Sequence, residues 1–146
     1  METELTFQIR LEKPPPGIDF ALQKGHGNGY ETVQKQRSGD TDLYFEFSAK
    51  VKDSNSVPDF LGPFVQGPKG ERFIYIDIGT YAGQTNTPWS RRLKIPVSGI
   101  DSAMIRMLAD NPSMIFATTV PGTGKDGGPN CATVKPFSGW TTIKKS

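Results

Sequence analysis

The sequence predicts an all-β domain: an antiparallel β-sandwich or β-barrel of about nine strands with one short peripheral helix. Three observations lead there. Apolar and polar residues alternate with a period of two in several segments, the pattern of strands that bury one face. Sixteen glycines and twelve prolines fall mainly between those segments, where they punctuate turns. One stretch alone has convincing helical spacing.

The first strand is carried by Leu5, Phe7, Ile9 and Leu11, alternating with Thr6, Gln8 and Arg10. Pro14-Pro15-Pro16-Gly17 ends it, because proline cannot donate to a ladder. Ile18, Phe20 and Leu22 resume the alternation. Gly25-His26-Gly27-Asn28-Gly29 then turns the chain into a run from Tyr30 to Gln36. The cleanest pattern follows: Leu43, Phe45, Phe47, Ala49 and Val51 on one face, with Tyr44, Glu46, Ser48, Lys50 and Lys52 on the other.

Phe60 to Val65 is apolar but cut by Gly62-Pro63, which predicts an edge strand or an irregular segment. Gly67-Pro68-Lys69-Gly70 predicts a β-turn. Arg72 to Ile78 is apolar on both faces except at Asp77 and is expected to be central. A loop from Gly79 to Trp89 leads to a strand at Arg91–Val97. Met104, Ile105, Met107 and Leu108 then place a helix over Asp101–Ala109, capped by Asp101 or Ser98 and stopped by Asn111-Pro112. Strands at Met114–Val120, Asn130–Lys135 and Trp140–Lys144 complete the chain. The expected core is Phe7, Ile9, Phe20, Phe45, Phe47, Phe73, Ile76, Leu93, Ile95 and Phe116.

At 146 residues the chain fits one domain, 1–146, large enough to fold without staples. A formal net charge of +2, with no Lys/Arg block, gives no footprint for nucleic acid. The single cysteine, Cys131, excludes an internal disulfide and suits a reducing compartment. The N-terminus has no basic and apolar leader, and no apolar run reaches about 18 residues, the length of a membrane span. The expectation is a cytoplasmic monomer or small homo-oligomer that does not engage membranes.

The segments Gly17-Ile-Asp-Phe20, Val33-Gln-Lys-Gln36, Gly62-Pro-Phe-Val-Gln-Gly67, Tyr75-Ile-Asp-Ile-Gly79, Trp89-Ser-Arg-Arg-Leu-Lys-Ile-Pro96 and Pro121 through Pro136 carry a resemblance. Over nearly its whole length the chain resembles an uncharacterised bacterial family, the domain of unknown function family 5990. The resemblance brings no catalytic residue, substrate or cofactor with it.

Several constellations invite chemistry. Gly122-Thr-Gly-Lys125 is reminiscent of a phosphate-binding loop, but Thr119 stands where that motif needs its first glycine. Asp126 follows the lysine instead of Ser or Thr, and a strand follows instead of a helix. What survives is an anion nest of glycine N–H groups and Lys125, or simply a wide hairpin shaped by glycines. Cys131 and His26 could form a nucleophile–base pair only if the fold brought them together, and a lone cysteine in a strand is ordinarily a small buried hydrophobe. One histidine and one cysteine cannot build a zinc site, and Asp40-Thr-Asp42 lacks the glycine and glutamate of a calcium loop. No metal and no cofactor are expected.

The strongest binding signal is Trp89 beside Arg91 and Arg92, since aromatic and arginine side chains bring contact area and donors together. If Leu93 and Ile95 face the core, Arg91 shares their side and Arg92 faces out with Lys94. An inward Arg91 would need a carboxylate, for which Asp77 is the expected partner. The candidate ligand-binding residues are Tyr81, Gln84, Trp89, Arg91, Lys125, Asp126 and Asn130, gathered if the two long loops emerge at one end. Their chemistry suits a small polar or anionic ligand; a protein partner is the other option. The expected function is a non-catalytic binding module. The alternative is a small barrel-type enzyme acting through Asp77, Arg91 and Asp126.

Overall fold

The computed structural model describes residues 2–26, 29–54, 57–61, 64–66, 72–81, 91–97, 100–124, 129 and 139–145. Two mostly antiparallel sheets pack face to face as a sandwich, not a closed barrel. The first sheet is built from β1 (Glu2–Glu12), β4 (Leu43–Ser54), β5 (Val57–Leu61), β9 (Met114–Pro121) and β10 (Thr141–Lys144), in the order β10-β9-β1-β4-β5. The second contains β2 (Ile18–His26), β3 (Gly29–Arg37), β6 (Val65–Gln66), β7 (Arg72–Tyr81) and β8 (Arg91–Pro96). Here β7 is central, as its apolar run predicts. It pairs with β2 and β6 along one edge and with β8 along the other, Phe73 lying between Val65 and Pro96.

The inward face of each strand supplies the core. Phe7, Ile9, Leu11, Phe45 and Val51 of the first sheet meet Phe20, Leu22, Ile74, Ile76, Ile78, Leu93 and Ile95 of the second, all fully buried. Phe7 is the hub, with its ring 5.3–5.7 Å from those of Phe47, Phe64, Phe116 and Trp140. The helix α1 (Ser102–Ala109) follows β8 and tucks Ile105 and Leu108 under the sandwich. Asp101 caps it, its carboxylate accepting from the Met104 N–H at 2.9 Å.

Three expectations need correction. The first sheet is not wholly antiparallel, because β9 runs parallel to β1 with Phe116 beside Phe7. Phe73 is not a core residue. It sits half-buried on the outer face of the second sheet, stacked against Tyr75 at 6.3 Å. Asp77 pairs with Arg92, its register partner, where Arg91 is the expected one. Arg92 donates from Nε and Nη2 to the two carboxylate oxygens at 2.6 and 3.1 Å. Ile74, Ile76 and Ile78 point inward, so the alternating pleat turns Asp77 outward, onto the face of Arg92.

Between β3 and β4 the two sheets meet through side chains. Gln34 and Gln36 of β3 donate from their side-chain amides to the backbone carbonyls of Glu46 and Tyr44, at 3.2 and 2.5 Å. Side chains thus satisfy a strand edge that a closed barrel would satisfy with backbone.

Strand register also places the loop stems. Tyr81, the end of β7, pairs with Ile18, and Pro121, the end of β9, pairs with Glu12. Glu12 and Ile18 are joined by only five residues, so both stems leave the same end of the sandwich. That end is tied together by backbone. Gly122 N–H donates to the Glu12 carbonyl at 2.9 Å, and Gly17 N–H to that of Ser38 at 2.9 Å. Thr123 bridges Pro129 across the neck of the second loop. The turn at 67–70, the strand expected at Asn130–Lys135, and Ser98 lie outside the described residues.

Candidate functional site

The outer face of the first sheet is hollowed into a groove of about 380 Å³. Its side chains come from four adjacent strands in two register rows. Tyr44 of β4, Arg10 of β1 and Thr119 of β9 form the row nearer the loop-bearing end. Gln8 of β1, Ala117 of β9 and Thr141 of β10 form the next. Ile143 of β10 closes the far side. Ala117 puts only a methyl group between its row neighbours Gln8 and Thr141 and so forms the floor of the hollow. Beside Ile143, its register partner Ile115 is buried although it lies on the outer face of β9.

Arg10 is held by Asp42. Its Nε and Nη2 both lie 2.6 Å from Asp42 Oδ2, while Oδ1 accepts from the Lys13 N–H at 2.8 Å. The Lys13 hydrogen bond, then the Arg10 guanidinium, hold the Asp42 carboxyl below its ordinary pKa. The hydrogen bond to Asp42, and then its charge, raise the pKa of Arg10. The Lys13 hydrogen bond also stabilises Lys13 in the left-handed region, at φ 42°, with its carbonyl accepting from Thr123 Oγ1 at 3.0 Å.

The remaining polar groups are largely unspent. Thr141 donates to the Ala117 carbonyl at 3.3 Å, which leaves its oxygen free to accept. The Gln8 amide, the Thr119 hydroxyl and the Tyr44 hydroxyl have no hydrogen-bond partner among the described residues. Tyr44 is 48% exposed, one of the few large exposed hydrophobic side chains among them.

The outer face of the second sheet is closed by contrast. Ala21, Gln23, Tyr75 and Asp77 are all buried there, and the Arg92 guanidinium lies 4.6 Å from the Tyr75 ring centre. Asp77 and the groove therefore occupy opposite faces of the sandwich.

Of the residues singled out by sequence, Tyr81 ends β7 and Arg91 begins β8, both at the loop-bearing end. Gln84, Trp89, Lys125, Asp126, Asn130 and Cys131 lie outside the described residues. Sequence reasoning did not single out Gln8, Arg10, Tyr44, Thr119 or Thr141. The available signal was Tyr44, an aromatic ring at a solvent position of an otherwise regular strand.

Fold and groove together define a class: a β-sandwich domain with a small-ligand-sized hollow on one outer face. Residues 5–143 match the model of the family of unknown function DUF5990, and the chain belongs to that family. No curated protein and no solved structure matches it. Among the described residues, no helix is long and apolar enough to cross a membrane.

Proposed function

We propose that this protein is a non-catalytic binding module that holds a small polar ligand in the groove of the first sheet. One observation carries the reading. The groove combines an apolar floor with side-chain donors and acceptors that the fold itself leaves unused, and its volume lies within the roughly 300–1,000 Å³ range of small-ligand sites. Its lining includes no carboxylate, histidine or thiol that could move a proton or attack a substrate. That composition favours binding over the enzyme reading. Asp77, the proposed acid of that alternative, spends both oxygens on Arg92 at the other outer face.

The two long loops belong to the same proposal as its rim. Their stems share the end of the sandwich toward which Arg10 and Tyr44 lie, so Tyr81, Gln84, Trp89, Arg91, Lys125, Asp126 and Asn130 are candidates to extend the site.

Native mass spectrometry of freshly purified protein tests this. The expected result is a small-molecule adduct that Gln8→Ala or Tyr44→Ala releases while the melting temperature stays unchanged. Wild-type protein that arrives bare, or an adduct that survives both substitutions, would count against the groove. Release by Trp89→Ala or Lys125→Ala alone would move the site to the loops.

A further inference from the structure

We infer that the ligand of this groove is a neutral polyhydroxylated ring, a saccharide or cyclic polyol, and not an anion. The inference rests on the binding reading above and narrows its ligand class.

Charge is the first argument. Among the described residues, Arg10 is the single charged one lining the groove, and Asp42 lies 2.6 Å from it. On the same outer face, Lys145 pairs with Glu46 at 3.2 Å. Arg10 and Lys145 are thus each matched by a carboxylate, so an anion approaching Arg10 would also meet Asp42. Sites that select anions leave their guanidinium or backbone donors uncompensated.

Hydrogen-bond character is the second. Gln8 offers two donors and an acceptor. Thr119 and Tyr44 each offer a hydroxyl that can donate or accept, and Thr141 accepts. An ionised carboxylate only accepts, and would leave the Gln8 oxygen and Thr141 without donors. A hydroxyl group both donates and accepts, so several hydroxyls on one ring match the mixed set. A polar group that a ligand covers without pairing loses its water and weakens binding, which makes this matching selective.

Shape is the third. The Tyr44 ring lies beside Arg10, its register partner, and stands half exposed at one wall. Ala117 and Ile143 lie across from it. A saccharide ring carries C–H groups on its faces and hydroxyls on its perimeter, which suits a stacking wall, an apolar floor and a polar rim. From β4 to β10 the groove crosses three inter-strand spacings, roughly 14 Å, room for one or two rings.

Titration of the full ¹⁵N-labelled chain tests the inference by NMR, with cellobiose, maltose and myo-inositol as neutral probes and citrate and inorganic phosphate as anionic ones. The expected result is saturable shifts of amides in β1, β9 and β10 with at least one neutral probe. Tyr44→Ala should weaken that binding at least tenfold, and Tyr44→Phe, which keeps the ring, only a few-fold. Saturable shifts of those amides by an anion and by no neutral probe would overturn the saccharide inference while leaving the groove as a binding site. Shifts elsewhere, or shifts that Tyr44→Ala leaves intact, would sink both. No shift with any probe would also reject the saccharide inference.

Discussion

Arg10 and Asp42, 32 residues apart, meet at 2.6 Å at the end of the groove, and the same carboxylate caps the backbone of Lys13. One side chain therefore orients a cation of the groove and fixes the strand-to-strand connection beside it. Fold and site share this contact.

Acid should expose it. Asp42 is held below its ordinary pKa by the Lys13 N–H and then by Arg10, and Asp19 by its hydrogen bond to Arg37. A folded-state pKa below the unfolded value means that the unfolded chain takes up the proton first. These contributions are thus fully present above about pH 4, the ordinary carboxylate value, and are lost as pH falls through the depressed folded values. The urea midpoint, followed from pH 7 to pH 2, should fall steeply below about pH 4. In Asp19→Asn/Asp42→Asn the same fall should be shallower. An unchanged slope would show that other carboxylates govern acid unfolding.

Phe7 and Phe73 should separate by measurement as they do in the fold. Phe7→Ala removes the hub of an aromatic cluster and is expected to cost about 3–5 kcal/mol in urea unfolding. Phe73→Ala gives up a half-exposed stack on Tyr75 and should cost about 1 kcal/mol. Equal losses would put Phe73 back in the core.

Gly122 and Gly39 form a second contrast. A Cβ at Gly122 would stand 2.7 Å from the Glu12 carbonyl oxygen and 2.7 Å from the Pro14 nitrogen, both backbone atoms. Gly122→Ala is expected to destabilise by roughly 1–3 kcal/mol. At Gly39 nothing lies within 4 Å, and Gly39→Ala should be neutral or stabilise by about 0.4–1 kcal/mol through the unfolded chain. A tolerated Gly122→Ala would show that the β1–β2 connection yields easily.

Gln36→Glu probes the contact between β3 and β4. The change replaces the amide that donates to the Tyr44 carbonyl with a second acceptor. Amide exchange along β3 should quicken, and stability should drop by about 1 kcal/mol. Unaltered exchange would mean that the glutamine contacts do not hold β3 against β4.

Much of the fold was legible because alternation survives wherever a strand buries one face. Leu43 to Lys52 and Leu5 to Leu11 read directly, and Asp101 announced the helix. The parallel pairing of β9 with β1 did not, because direction is set by where the helix delivers the chain and not by any local pattern. Phe73 misled for a physical reason: the second sheet buries part of its outer face, so an apolar residue there mimics a core residue. The Asp77–Arg92 pair was within reach, since strand parity already placed both side chains outward. The groove was not. Its residues run from Gln8 to Ile143, and its polar members are ordinary outward-facing strand residues. Only the register across β4, β1, β9 and β10, with Ala117 at the floor, turns them into a concavity.

The most direct test of the account is ligand binding by the double variant Gln8→Ala/Tyr44→Ala, measured beside its thermal unfolding. Both side chains lie on the solvent face of the first sheet, outside the hydrophobic core. The account predicts a melting temperature close to that of the wild type, with saturable binding of the neutral probes abolished. Binding that persists in the double variant would contradict the claim that the groove is the site.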